Sequence, residues 1–196
     1  MEQVTMDLIT QLPRTKRGNK AIVVFVDKLT KLVHYAACKT TVTAPQLASI
    51  FMHEWVRHHG IPASIVSDRD PRFTSHFWRA LWEQMGTKLA MSTAYHPQSD
   101  GQTERANRTL EDMLRAYVSY RQNDWDEHLD AAEYAFNNSV HASTGHTPFQ
   151  LVYGEHVRTA LSLTNPPSPP CLNPAAEEVV RTRQATVERA KENLQA

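Results

Sequence analysis

Cysteine is nearly absent. Only Cys38 and Cys171 occur in 196 residues, far apart and without a CxxC pair, so a disulfide framework and a cysteine-based zinc module both lack the residues they need. No apolar run approaches the ~20 residues that cross a bilayer, and the opening MEQVTMDLIT lacks the basic-then-apolar order of a secretory signal. Neither membrane contact nor secretion is expected. Net charge is missing too, because 21 basic residues balance 21 acidic ones. A protein holding a polyanion by charge alone would be basic overall. Any such contact here is therefore local, or assisted by metal ions or further domains. What remains is an ordinary globular composition, 41% hydrophobic and 21% charged, in a chain long enough for one domain with a real core.

The first third reads as β-structure. VTMDLI (4–9) alternates, with Val4, Met6 and Leu8 on one face and Thr5 and Asp7 on the other. AIVVFVD (21–27) is continuously apolar, which suits a central strand buried on both faces. LVHYAAC (32–38) follows as a hairpin partner. Helices and strands then alternate. Thr43-Ala-Pro-Gln46 is a capping box opening a helix that ends near Gly60. SIVS (64–67) is a short buried strand, Phe77 to Met85 has helical spacing, and KLAMST (88–93) is another strand. Ser99-x-x-Gln102 is expected to cap a long helix, Asp124-x-x-Glu127 one that reaches about Asn138, and Thr147-Pro148 a short one ending at Gly154. This order predicts an α/β fold: a five-stranded mixed sheet, three strands antiparallel and then two parallel, flanked by helices. NPPSPPCLNP (165–174) reads as a stiff linker, followed by a helix with a roughly 3.5-residue apolar seam through Ala176, Val180, Val187, Ala190 and Leu194. The expected organisation is a core over 1–157, a proline-rich linker over 158–174 and a C-terminal helix over 175–196.

Three carboxylates stand out. On the helix after Ser99, Ala106, Leu110, Met113, Leu114 and Tyr117 share the face that would pack on the sheet, and Glu104 lies on the opposite side with Arg108, Glu111 and Arg115. A first-turn glutamate is also what a helix dipole favours. Asp7 interrupts an apolar strand, where an unpaired carboxylate costs several kcal/mol unless a cation or solvent receives it. Asp68 ends SIVS, where ligands bind in open α/β sheets, though aspartate is also common turn chemistry there. Asp70 is a rival by chemistry alone. If SIVS pairs parallel beside VTMDLI, Asp7 and Asp68 come side by side, and the helix crossing that edge brings Glu104 to them. Three carboxylates so close repel strongly unless divalent cations neutralise them.

The stretches MDLI, VDKLTK, VSDRDPRFTS, STAYHPQSDGQTERANRTLE and FNNSVHASTGHTPFQLVYG, over about residues 1–157, resemble the integrase catalytic core of gypsy-type LTR retrotransposons. That family is retroviral-type and of the RNase H-like superfamily. The 35 residues between Asp68 and Glu104 match its D-x35-E signature. The resemblance implies an RNase H-like fold and a catalytic triad of Asp7, Asp68 and Glu104. It implies that these acids hold two Mg²⁺ (or Mn²⁺) ions, with Asp7 bridging both, and it ranks Asp70 well behind Asp68. The implied activity is metal-dependent polynucleotidyl transfer, which trims the 3′ ends of retroelement DNA and joins them to target DNA by in-line phosphoryl transfer. Tyr95, Gln98, Asn107 and Arg108 match positions that handle DNA in related enzymes, while Asp100 stands where relatives carry a neutral amide. The basic loop PRTKRGNK (13–20) is either a target-backbone contact or a solvated hairpin turn. His58 and His59 read as a helix end offsetting the dipole.

Implied partners are DNA, both element ends and target, and further copies of the chain as a homodimer or larger multimer. The implied compartment is the nucleus, after synthesis in the cytoplasm. Relatives carry a zinc-binding domain upstream and a DNA-binding barrel downstream, so the chain is expected to be a fragment, a degraded copy or an isolated reading frame. Two rival readings stand: another enzyme on the same fold, such as a ribonuclease H or transposase, and a catalytically idle remnant that binds nucleic acid or protein.

Overall fold

A computed structural model of the chain describes residues 1–91, 97–155, 157 and 173–195, with the side chains of 97–104 and 186–195 left out. Nearly all of the expected linker over 158–174 lies outside the described residues. The chain divides into two compact units, Met1–Leu29 with Val33–Phe136, and Thr30–Leu32 with Asn137–Ala196.

The first unit is built on five strands: β1 (Gln3–Ile9), β2 (Ala21–Asp27), β3 (Val33–Cys38), β4 (Ser64–Ser67) and β5 (Lys88–Met91). Their order is β3-β2-β1-β4-β5, with β1 central. β2 pairs antiparallel with both β1 and β3, while β4 runs parallel to β1 and to β5. This is the mixed sheet that the alternation predicts. All seven residues of β2 are buried, because helices cover both faces. On one face Val4, Met6, Val23, Phe25 and Ile65 meet Leu47 and Phe51 of α1 (Ala44–Phe51). The same cluster takes in Trp55, Phe73 of α3 (Pro71–Thr74), and Trp78 and Trp82 of α4 (His76–Gln84). On the other face Ile22, Val24, Val26, Val33 and Tyr35 meet Ala106, Leu110 and Leu114 of α5 (Pro97–Tyr117), then Trp125 and α6 (Leu129–Asn137). Residues of β1 alternate between these layers, so Asp7, in phase with Thr5, belongs to the α5 side.

Several boundaries differ from the sequence expectation. The helix opened by the Thr43 capping box does not run unbroken to Gly60. A π-helical turn at Met52–Val56 separates α1 from α2 (Arg57–His59), an insertion that apolar spacing does not reveal. α3 was not expected, although Asp70 caps it and Pro71 takes its first position. α5 starts at Pro97, two residues before the serine expected to cap it, because proline's fixed φ suits a first helical position. Tyr117 is exposed rather than packed; it is the last residue of α5, and Val118 packs against the cluster instead. The segment after Asp124 begins as a 3-10 turn (Trp125–Glu127) before α6. Residues 92 and 93 of the expected last strand lie outside the described residues.

In the second unit, α7 (Pro148–Tyr153) opens on the capping box of Thr147 and Gln150 and closes on Gly154 in the left-handed region, φ 79°. Leu151 packs with Ala176 and Val180 of α8 (Pro174–Gln195). A Cβ on Gly154 would stand 2.6 Å from Arg183 Cβ and 2.8 Å from the Gln184 nitrogen. Only glycine lets the two helices approach this closely. Gly154→Ala is expected to destabilise the second unit by more than ~1 kcal/mol, from the strained φ and the clash together; a measured loss near zero in urea unfolding would contradict that packing.

The edge strand β3 is held by an imidazole chain. His34 Nδ1 lies 2.8 Å from Glu133 Oε1 on α6, and His34 Nε2 lies 2.8 Å from His59 Nε2 on α2. The other Glu133 oxygen accepts the Tyr35 backbone N–H at 2.9 Å. Burial, then the neighbouring His34, His58 and chain N-terminus, lower the His59 pKa from 6.5 to about 4. A neutral His59 cannot offset a helix dipole at neutral pH, so it serves the packing of β3 rather than the helix end. Below about pH 6.5 the unfolded chain takes up a proton that folded His59 refuses. Its contribution to stability is complete above that pH and declines as the pH falls toward 4. The urea midpoint should drop between pH 7 and 5, and His59→Phe should flatten that dependence; an equally steep decline in the variant would count against the chain.

Candidate active site

The carboxyl ends of β1 and β4 lie side by side. Their parallel ladder runs from Gln3 paired with Ser64 to Met6 paired with Ser67. Asp7 and Asp68 are the residues that directly follow this last pair, Asp7 still within β1 and Asp68 just past the end of β4. Asp7 is half-buried and Asp68 exposed. Strand pairing thus brings the segments that carry these two acids together, across 60 intervening residues.

Asp7 is held from two directions. Its Oδ1 accepts the Leu8 backbone N–H at 2.8 Å, and its Oδ2 accepts Nδ2 of Asn107 at 2.6 Å. Among the described residues no lysine or arginine pairs with Asp7. A carboxylate has about four lone-pair positions, so two hydrogen bonds leave capacity for a hard cation. Asn107 is half-buried on α5, and its Oδ1 is buried without a protein partner among the described residues. The contact fixes where α5 crosses β1. Leu110 at 0% exposure, with Ala106 and Leu114 also buried, presses the helix onto the sheet. Burying a leucine side chain contributes roughly 1.5–3 kcal/mol.

Glu104 lies on the same helix, one turn before Asn107. Residues three apart on a helix have Cβ atoms about 5–6 Å from each other. The backbone of Glu104 is therefore one turn from the residue that touches Asp7; its side chain lies outside the description. Among the described residues no group of three histidine, cysteine or acidic side chains gathers as a metal site, and Glu104 is not among the side chains described.

Asp70 is committed elsewhere. It caps α3 by accepting the Arg72 backbone N–H at 2.9 Å, and its two oxygens receive the Arg72 guanidinium, one from Nε at 2.7 Å. The Arg72 hydrogen bond holds its carboxyl below the usual range. Asp68 Oδ1 accepts the Asp70 N–H at 3.1 Å, a turn that orients the loop after β4. Of the two neighbouring acids, Asp68 is the one at the sheet end. Arg108 is exposed on α5. Gln98 is on α5 but its side chain is outside the description, and Tyr95 lies wholly outside the described residues. Asn107, read from sequence as a DNA contact, is in hydrogen-bond contact with Asp7. The available signal was its spacing, one turn after Glu104 on the side nearer the packed stripe.

No family model matches the chain. Over 152 residues, 78% of its length, it is 36% identical to the Tf2-3 polyprotein of a Schizosaccharomyces pombe transposon, and equally to the Tf2-4 polyprotein. It spans 11% of the length of those curated relatives. Among solved structures, the catalytic core domain of BIV integrase superposes with a TM-score of 0.60 at 27% identity, covering 76% of this chain and 92% of that one. These similarities together support an integrase core of RNase H-like fold. The HTLV-2 integrase catalytic core in complex with magnesium (trimeric form) shares the fold at TM-score 0.61 and 20% identity, over 76% of this chain and 94% of that one. A simian T-cell lymphotropic virus intasome does so at 0.65 and 24%, over 88% and 58%.

In this fold the Asn107–Asp7 contact is a hydrogen bond to a charged acceptor, a class that contributes roughly 1.5–3 kcal/mol. A double-mutant cycle of Asp7→Ala with Asn107→Ala should return a coupling of about 1–3 kcal/mol in urea unfolding. A coupling below about 0.5 kcal/mol would mean that α5 is located by its apolar stripe alone.

Proposed function

We propose that this integrase core is a metal-dependent polynucleotidyl transferase acting on retroelement DNA, with Asp7, Asp68 and Glu104 as its catalytic and metal-holding acids. The observation that carries the reading is the hydrogen bond from Asn107 to Asp7, because it brings the helix bearing Glu104 against the strand pair bearing Asp7 and Asp68. The donor set is all carboxylate oxygen, the chemistry that Mg²⁺ and Mn²⁺ select. Two such ions, when bound, would lower the pKa of the attacking water or 3′-hydroxyl and stabilise the leaving oxygen of an in-line displacement.

The chain's own residues do the rest. Asn107 and the Leu8 N–H hold the Asp7 carboxylate in one orientation, so the ligand does not have to be ordered when metal and DNA arrive. Arg72 removes Asp70 from competition by occupying both its oxygens. Arg108, exposed one turn after Glu104, is suited to a phosphate of the DNA end, and Tyr95 and Gln98 are assigned to the same end. Asn107 is left with the second hydrogen of its Nδ2 for a contact with DNA, since the first is donated to Asp7 and its Oδ1 is buried. With water as nucleophile the ends are trimmed; with a 3′-hydroxyl they are joined to target DNA, in the nucleus and by a multimer of this chain.

Asp7→Asn, Asp68→Asn and Glu104→Gln should each abolish Mn²⁺-dependent trimming and joining of an element-end duplex, with far-UV circular dichroism unchanged. Each should also lose the rise in melting temperature that Mn²⁺ confers on the unsubstituted chain. Asp70→Asn should retain activity. Full activity in any of the three acid variants would remove the triad. Cleavage of an RNA–DNA hybrid without strand joining would favour a ribonuclease H instead.

A further inference from the structure

The basic loop between β1 and β2 is not a free hairpin turn. Thr15, 4% exposed, donates its hydroxyl to Asp126 Oδ2 at 2.9 Å, and Asn19 Nδ2 donates to the same oxygen at 2.8 Å. Trp125 Nε1 donates to the Pro13 carbonyl at 2.8 Å, and the Lys16 N–H to the Asn123 carbonyl at 3.0 Å. Inside the loop, Thr15 and Gly18 close a turn at 2.9 Å, and the Lys20 N–H reaches the Cys38 carbonyl at 3.0 Å. Asp126 is itself buried, at 9% exposure. A buried carboxylate received by neutral donors is costly to maintain, and here it holds one loop in one shape.

That shape displays charge. Between Asp7 and Asp27 the chain carries Arg14, Lys16, Arg17 and Lys20 and no carboxylate. All four are exposed, as is Lys39. Lys39 Cε and the Arg14 guanidinium both lie within 4 Å of the Cβ position of Gly18, so the cations of two segments converge. Lys16 pairs loosely with Glu127 at 3.6 Å. Among the described residues Arg14, Arg17, Lys20 and Lys39 form no ion pair with a carboxylate. In a chain whose total charge is zero, this is a local concentration of one sign. The loop also leaves the sheet at the carboxyl end of β1, the end at which Asp7 and Asp68 stand.

We propose that the anchored loop over 13–20, together with Lys39, is a preformed clamp for the phosphate backbone of the DNA duplex on which the acid site acts. Pinning by Asp126 and Trp125 places the cations before binding, which lowers the ordering cost of the contact. The seven residues from Asp7 to Arg14 span at most about 25 Å. That is about seven nucleotides at 3.4 Å per step, so the clamp meets phosphates within about seven nucleotides of the reacting one. Backbone contact of this kind positions the duplex and reads no sequence.

The inference rests on the DNA reading of the site, and the test keeps the two apart. Binding of a fluorescein-labelled duplex to the full chain is measured by anisotropy, in chelator and without metal, across a salt series. Removing four phosphate contacts, in Arg14→Ala/Arg17→Ala/Lys20→Ala/Lys39→Ala, should reduce the slope of log affinity against log salt by about 3.6 and weaken binding at low salt at least tenfold. Arg79→Ala/Lys88→Ala, which removes two exposed cations carried by α4 and β5, should change the slope by less than half a unit. Thr15→Val/Asn19→Leu keeps every cation and loosens the anchor; it should weaken binding several-fold while leaving most of the slope. An unchanged slope in the fourfold variant would overturn the clamp and leave the acid site standing. Equal losses in the fourfold and control variants would overturn it in favour of diffuse attraction. Absence of duplex binding by the unsubstituted chain would overturn the DNA reading along with the clamp.

Discussion

The hydrogen bond between Asn107 and Asp7 ties helix α5, which carries Glu104, to strand β1. Strand pairing can bring Asp7 and Asp68 side by side, but it says nothing about a helix that arrives later in the chain. The apolar stripe of α5 supplies most of the adhesion, yet a stripe of alanine and leucine tolerates sliding by part of a turn. A directional contact at 2.6 Å does not. It sets the height of the helix on β1, and through the helical repeat it sets the height of Glu104.

Around that contact the fold separates adhesion from chemistry. Tryptophans and phenylalanines fill the layer beneath β1 opposite α5, where no acid of the site lies. The α5 layer mixes aliphatic side chains with Tyr35, Trp125 and Phe136, and there Asp7 of the strand meets Asn107 of the helix. Asp70 illustrates the same economy. It sits two residues from Asp68 but is satisfied by its own helix and by Arg72, so its charge is spent on building the loop. Asp126 does comparable work for the β1–β2 loop, accepting hydrogen bonds from its neutral donors Thr15 and Asn19 while the loop's cations stay exposed.

Much of this was legible in the residues. The unbroken apolar run of β2 announced a strand covered on both faces, and the Thr43 and Thr147 capping boxes announced helix starts that the structure keeps. The change from hairpin pairing to alternating helix and strand announced the mixed sheet. Less visible were features that depend on partners distant in sequence. The π-helical turn at Met52–Val56 leaves apolar spacing unchanged. The imidazole chain of His34 and His59 with Glu133 joins three elements whose histidines look scattered in the linear order. Trp125 and Asp126 gave no sign that they anchor a loop more than 100 residues earlier.

By itself, the order of residues determined which segments are strands and helices and which acids stand at their ends, because periodicity, capping and turn chemistry act over a few neighbouring positions. Tertiary structure alone decided which polar groups receive those acids. Register between β1 and β4, the height of α5 on the sheet and the capture of Asp70 by Arg72 all depend on side chains finding partners through space. No local pattern records a contact of that kind.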